Sequence, residues 1–305
     1  MKIFVLTGPT GVGKTEVAIA LARRFGTELI SADSRQVYTW LDIGTAKPDE
    51  KLRSGVRIHM IDMVEPNRIY SAADYSRDAT AVMRRLLRER KRLIVVGGSG
   101  LYIRALFQPF FETPKPSKEL RQRLESQSTV ELYQKLKGLD PERALHLHPH
   151  DRQRIMRALE IHELTGKTMT ELARESRKQS EFLPVYAVLT MPRSLLRAQL
   201  NARFDTMMKA GLLDEVRRLK DAGFGNDTYV ANAYGYAELL AFLDKKISLE
   251  KAAQIAKAKT RAYARRQLTW CRSLKGAHWF EYTNTKDTAA KLVPILAGVL
   301  KLTRT

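Results

Sequence analysis

The sequence predicts an α/β fold, a parallel sheet flanked by helices and interrupted by an inserted all-helical domain. Three observations predict it. Short apolar runs alternate with amphipathic stretches in the N-terminal part, the order that produces parallel strands joined by helices. A cluster of prolines and polar residues, "PFFETPKPSKEL" at 109–120, ends the alternation, and such clusters mark boundaries. Beyond it the pattern is helical only, until "LPVYAVLTM" at 183–191 returns to a buried strand. The expected domains are a core of 1–116 and 182–305 and an insertion of 117–181. A chain of 305 residues is long enough for two such domains.

The elements follow in order. Ile3-Phe4-Val5-Leu6 opens the first strand, 3–7, and "TGPTGVGKT" at 7–15 comes straight after it. The spacing Gly8-x-x-x-x-Gly13-Lys14-Thr15 is the P-loop pattern. Glycines let the backbone curl so that several N–H groups converge on one anion. Lys14 adds a positive charge, Thr15 a hydroxyl for a magnesium ion, and the helix at 15–24 its positive dipole end. Val17, Ile19, Ala20 and Leu21 give that helix an apolar face. A chance glycine turn is the alternative, and it explains neither the spacing nor the strand-and-helix context. The sheet is therefore expected to be of the P-loop type. Further strands are expected at 28–32, 58–62 and 93–96, with a helix at 72–89 whose Arg84, Arg85 and Arg88 point outward. The run "RRLLRERKR" at its end reads as a solvated helix end before it reads as a nucleic-acid contact. After 193 the chain reads as helical to about 275, and "HWFEYT" at 278–283 as a last short strand.

Composition narrows the function. The net charge is +20 and the pI about 10.1. An excess of that size points to an anionic partner, most simply nucleic acid. The one cysteine, Cys271, excludes a disulfide within the chain and a thiolate zinc cluster, and suits a reducing cytoplasm. His146, His148 and His150 alternate, but no further ligand is near them in sequence, so no metal site is expected there. The N-terminal apolar run meets Gly8-Pro9 after four residues, too soon for a signal peptide. No uncharged apolar run is long enough to span a membrane.

Four places are candidates for chemistry. Asp33 closes the second strand in "LISADSRQVY", at the sheet edge where ligands sit in open parallel sheets. It is either a general base or metal ligand, or the cap of a following helix. Asp62 is a weaker rival for the same role. In "VVGGSGLYIRAL", Gly97, Gly98, Ser99 and Gly100 form a second turn where backbone can approach a ligand. Arg154 and Arg157 lie one helical turn apart and share a face. In "AKAKTRAYARRQLTWCRSLK", Lys257, Arg261 and Arg265 form one stripe, and Lys259, Tyr263, Arg266 and Trp270 the adjoining one. Cations mixed with rings suit RNA, phosphates on the first and bases on the second. The alternative is a solvated helix with Trp270 packed inward.

Taken together, these motifs resemble the tRNA dimethylallyltransferase (isopentenyl-tRNA transferase) family. The matching stretches run along the whole chain: "GPTGVGKT", "ISADSRQVYTWLDIGTAKP", "YSAADYSRDA", "VVGGSGLYIRAL", "HPHDRQRIMRALEIHELTGK", "ARFDTMMKAGLLDEV", "YGYAELLAFL" and "RAYARRQLTWCR". The resemblance implies transfer of a dimethylallyl group from dimethylallyl diphosphate to N6 of adenosine 37 in tRNA. The loop Gly8, Pro9, Thr10, Gly11, Val12, Gly13, Lys14 and Thr15 then holds a departing diphosphate, aided by Mg2+ on Thr15. Asp33 takes the proton of the adenine amine, Thr10 touches the diphosphate and Arg203 grips it. Implied tRNA contacts are Asp33, Ser34, Arg35 and Gln36; Gln153, Arg154, Ile155, Met156 and Arg157; and Tyr234, Gly235 and Tyr236. Ser99 and Arg121 are further implied contacts, and the basic stripes add Arg261, Arg265 and Arg266. Two departures stand out. Ser99 replaces the usual Thr and keeps the hydroxyl. Tyr234 replaces the usual Ile before Gly235-Tyr236 and leaves the shape of that segment open. The lone cysteine leaves no room for the zinc finger of eukaryotic relatives, which points to the bacterial form.

A monomer in the cytoplasm, with no membrane association, is expected. The rival readings are an adenylate dimethylallyltransferase using free AMP or ATP, a P-loop kinase of a small metabolite, and a non-catalytic RNA-binding protein. A charge of +20 favours the large polyanion over a free nucleotide.

Overall fold

The computed structural model describes residues 1–108, 114, 117–175, 180–225, 228, 230 and 233–301. The chain divides into two compact units, Met1–Phe107 with Glu181–Thr305, and Gln108–Ser180. Residues 109–113, 115 and 116, where the sequence places the boundary, lie outside the described residues.

The first unit is built on six strands: β1 (Lys2–Thr7), β2 (Thr27–Ser31), β3 (Ile58–His59), β4 (Arg92–Val96), β5 (Leu183–Thr190) and β6 (His278–Glu281). They pair in the order β3-β2-β4-β1-β5-β6, and every pairing is parallel. β1 lies between β4 and β5, and its Phe4, Val5 and Leu6 are wholly buried. A strand with helices on both sides buries both of its faces, which explains an uninterrupted apolar run where alternation would mark a half-exposed strand. Successive side chains go to opposite faces. Phe4 and Leu6 join the apolar side of α1 (Lys14–Phe25) and α14 (Thr285–Lys301). Ile3 and Val5 join the side packed by α3 (Ala72–Arg88), α4 (Gly100–Phe107), α12 (Tyr236–Leu243) and α13 (Leu249–Arg272). Among the described residues no helix is long and apolar enough to cross a membrane.

Two expectations need correcting. β3 has two residues, not the five of 58–62, because Met60 (φ 66°) and Asp62 (φ 56°) take left-handed backbone that no strand continues through. Helix α14 follows the last strand and was not expected; Pro294 inside it masks the periodicity of Leu292, Leu296 and Val299, all buried.

The second unit is helical: α5 (Lys118–Glu125), α6 (Thr129–Leu139), α7 (Pro141–Leu145), α8 (Arg152–Thr165) and α9 (Met169–Glu175). Its core gathers Leu124, Leu132, Leu136, Ala144, Ile155, Ala158 and Leu159. Ser117, Ser128, Asp140 and Asp151 cap four of its helices by accepting backbone N–H bonds; each such cap contributes about 1 kcal/mol. Glu160, 1 % exposed, accepts from the Ser117 N–H (3.0 Å), Arg121 (3.2 Å) and Arg157 (2.5 Å).

Candidate active site at the carboxyl edge of the sheet

The loop after β1 curls as the glycines require. Gly8 has φ 144°, and a Cβ there would stand 2.3 Å from the Leu189 carbonyl oxygen, so no side chain fits. Two glutamines from distant helices hold the loop. Gln199 of α10 (Arg193–Lys209) donates to the Gly11 carbonyl (2.7 Å). Gln267 of α13 accepts from the Thr10 N–H (2.8 Å). Lys14 folds back and donates to the Pro9 carbonyl (2.7 Å). Burial pushes the Lys14 ammonium down to about 8; Asp33 pulls it up and Arg203 pushes it further down. Arg203 is lowered too, first by burial. Arg203 makes no ion pair among the described residues. Two partly buried cations with no carboxylate paired to either among the described residues form a ready seat for an anion.

Two cavities meet here. One, about 520 Å³, is lined by the loop, Thr15, Glu16, Gln36, Gly97, Gly98 and Tyr282, with Leu29, Pro48, Leu52 and Ile58 as apolar wall. The other, about 170 Å³, is lined by Ser34, Arg35, Tyr234, Tyr263 and Gln267. Thr10, Lys14, Asp33 and Arg203 line both, as do Thr45 and Gly98. All four residues expected to be catalytic therefore stand at the junction.

Asp33 is not a helix cap. Residues 34–37 form turns with no helix after them, and its Oδ1 accepts from the N–H groups of Arg35 (2.8 Å) and Gln36 (3.3 Å). Both bonds fall on one oxygen, which fixes the carboxylate and leaves Oδ2 without a hydrogen-bond partner among the described residues. Asp62 is held elsewhere: its carboxylate pairs with Lys47 (2.5 Å), which also binds Asp42 (2.6 Å), and it lines neither cavity.

The residues implied for tRNA divide into several groups. Ser99 donates to the Ser34 hydroxyl (2.9 Å) and accepts from the Ser34 N–H (3.2 Å), beside Asp33. Gln36 is buried and its amide nitrogen donates to the carbonyls of Thr45 and Ala46 (both 3.2 Å), so it braces that loop. Arg266 donates to the Tyr234 hydroxyl (2.6 Å) and its guanidinium lies 5.9 Å and 5.8 Å from the Tyr234 and Tyr263 ring centres. Burial, with Asp33 adding to it, pushes the Tyr263 phenol up to about 12. Gly235 (φ 93°) makes the turn into α12, its N–H held by Glu238 (2.8 Å).

Four further groups of implied contacts have structural surroundings of their own. Tyr236 is fully buried and donates to Glu215 (2.6 Å). That carboxylate also accepts from the Ile43 N–H (2.8 Å), so Tyr236 braces this loop, and it lines the smaller cavity as well. Ile155 is buried in the core of the second unit, with Met156 packed against it. Arg121 and Arg157 are engaged by Glu160, and Arg157 also donates to the Pro114 carbonyl (2.7 Å); Gln153 and Arg154 are the exposed members of that helix turn. Arg261 and Arg265 lie away from Asp33, on another side of α13. They line a separate cavity with Arg193, Arg197 and Arg272, and Arg261 donates to Asn201 (2.7 Å).

Among the described residues no cluster of three His, Cys, Asp or Glu forms a cage. The Thr15 hydroxyl and the Glu16 and Asp33 carboxylates line the first cavity. Sparse hard oxygen donors of this kind suit Mg2+, which keeps several waters and takes other ligands from substrate phosphates.

A family model described as IPP transferase matches residues 36–274. The chain is 41 % identical over 284 residues to the tRNA dimethylallyltransferase of Anoxybacillus flavithermus, covering 93 % of this chain and 91 % of that one. It is 39 % identical to the one of Thermotoga maritima, covering 96 % and 98 %. The crystal structure of the full-length tRNA isopentenylpyrophosphate transferase of Bacillus halodurans superposes with a TM-score of 0.74 at 36 % identity, covering 99 % and 98 %. A eukaryotic dimethylallyltransferase acting on tRNA gives 0.80 at 30 % identity, covering 96 % of this chain and 77 % of that one. Fold, loop and relatives converge: the chain belongs to the IPP transferase family and is an enzyme of the tRNA dimethylallyltransferase kind.

Proposed function

We propose that the chain transfers a dimethylallyl group from dimethylallyl diphosphate to N6 of adenosine 37 in tRNA and releases diphosphate. One observation carries the reading: Thr10, Lys14, Asp33 and Arg203 line both cavities. A donor seated in the larger cavity and a base entering the smaller one would meet at those four residues.

The diphosphate lies against the loop N–H groups, Lys14 and Arg203, with the five-carbon chain toward Leu29, Leu52 and Ile58. As the C1–O bond breaks, the electron pair stays on the diphosphate, and the two cations stabilise that charge where water is largely excluded. N6 attacks C1, and Asp33 Oδ2 takes its proton. Thr15 would hold a Mg2+ ion, with Glu16 or Asp33 through water, and the ion would supply further charge neutralisation on the leaving group. The base reaches the site only if extruded from the anticodon loop. Tyr234, Tyr263 and Arg266 offer rings and a cation at that mouth, and the exposed Gln153 and Arg154 are the contacts proposed on the helical unit. The reading includes a monomer working in the cytoplasm. Cys271, the only cysteine, is buried, and burial pushes its thiol up to about 11, which makes it unreactive.

The test is incubation with an anticodon stem-loop RNA and dimethylallyl diphosphate, followed by nucleoside mass analysis. Gain of one C5H8 unit on adenosine is expected. Modification of free AMP with equal efficiency, or release of γ-phosphate from ATP without alkylation, would overturn the reading.

A further inference from the structure

We propose that Gln267 is a positioning residue that holds the leaving-group loop in register with the acceptor side of the site. The inference rests on the reaction proposed above. Gln267 is 6 % exposed and lies on α13. Its Oε1 accepts from the Thr10 N–H (2.8 Å) and its Nε2 donates to the Gly98 carbonyl (2.9 Å). An N–H on one side and a C=O on the other demand one acceptor and one donor from the same side chain. An amide supplies both, and neither a carboxylate nor an apolar side chain does. The turn at Gly98 is shaped to the amide: a Cβ there would stand 2.3 Å from Nε2.

The two loops it joins serve the two halves of the reaction. Thr10 belongs to the diphosphate cradle. Gly98 precedes Ser99, whose hydroxyl is bonded to Ser34 next to Asp33. The path from base to leaving group is therefore Asp33–Ser34, Ser99–Gly98, Gln267, Thr10, with hydrogen bonds at each break. The same helix carries Tyr263 and Arg266 at the mouth of the smaller cavity. Transfer needs C1 aligned between N6 and the leaving oxygen, and a displacement of about 1 Å in such a step costs on the order of 10²-fold. Gln267 borders the smaller cavity, but its amide is engaged by a loop N–H and a carbonyl. Its loss lets the two loops drift apart while each still binds its own ligand.

The test uses Gln267→Met, similar in length and without hydrogen bonds, in the full chain. Turnover with stem-loop RNA should fall about 10–100-fold, while KM for dimethylallyl diphosphate and Kd for the RNA stay within about threefold. Should Gln267→Met fold poorly, Gln267→Glu keeps the acceptor for Thr10 and loses the donor to Gly98, and its kcat should also fall with both affinities kept. Wild-type kcat in a folded variant, or a loss confined to KM of one substrate, overturns the proposal. Wild-type enzyme assayed alongside separates the two failures: no product from it sinks the proposed reaction, whereas product from it with unaltered variants sinks only the role of Gln267.

Discussion

Glu160 of the helical unit and Lys14 of the core unit hold charge in opposite ways, and the core unit's own Glu215, bonded to Tyr236 and the Ile43 N–H, follows the first pattern. In the helical unit the buried Glu160 is fully answered: two arginines and a backbone N–H converge on it. In the core unit Lys14 is partly buried, and among the described residues it donates to the Pro9 carbonyl and neither it nor Arg203 forms an ion pair with an acid. The first pattern locks a scaffold. The second keeps a charge deficit that a ligand must fill, and its mark is the Lys14 ammonium lowered to about 8. Buried charge locates a site where it lacks a partner and locates structure where it has one.

The comparison can be broken most forcefully at Asp33. Asp33→Asn keeps an oxygen for the Arg35 and Gln36 N–H groups, so the turn should survive while the base is lost. Turnover should drop by about 10²–10⁴, with diphosphate affinity unchanged in a direct binding measurement. Near-wild-type turnover would return Asp33 to a turn-forming role. Lys14→Ala should cost about 10²–10³ in turnover and leave stem-loop affinity intact; parallel loss of RNA binding would contradict its assignment to the leaving group.

A smaller effect separates the units by what fails. Glu160→Ala leaves the Ser117 N–H and two arginines without their acceptor. Denaturant melts should show about 1–3 kcal/mol lost, less than for a sealed pair because Arg121 is half exposed. Diphosphate binding to the same protein should be unaltered. The pH dependence sharpens the other side. A protonated Lys14 binds diphosphate and a neutral one does not, so affinity should hold below the free-enzyme value of about 8 and weaken as pH rises through it. One proton implies at most about tenfold per pH unit. A flat titration calorimetry series from pH 7 to 9.5 would show that Lys14 does not meet the anion. The mildest effect is on RNA. Arg266→Ala should reduce the salt slope of stem-loop binding by about 0.7. Substituting both Arg261 and Arg265 should change it less, since those side chains line another cavity.

The cradle was legible in the sequence because its function is local: nine consecutive residues supply the N–H groups, the cation and the hydroxyl. The central strands were legible because both faces are buried and their apolar runs are unbroken. What escaped depends on distant partners. Gln267 and Thr10 are 257 positions apart, and nothing in "RRQLTW" marks which loop that amide will meet. The bond between Tyr236 and Glu215 joins two helices whose packing no local pattern announces. The two stripes of α13 could be drawn from helical spacing alone, but which of them faces Asp33 is decided by how α13 packs. β3 was overestimated because two non-glycine residues take backbone angles that their identities do not announce.

In the proposed reaction donor and acceptor occupy two cavities that meet at Thr10, Lys14, Asp33 and Arg203. The direct measurement is binding of stem-loop RNA to the Asp33→Asn protein with and without saturating inorganic diphosphate and magnesium. Simultaneous binding is expected, with RNA affinity changed by less than about threefold, because the leaving group and the base would sit on opposite sides of the junction. Displacement of the RNA by diphosphate, with a competition curve reaching zero bound RNA, would place both ligands in one cavity and contradict it.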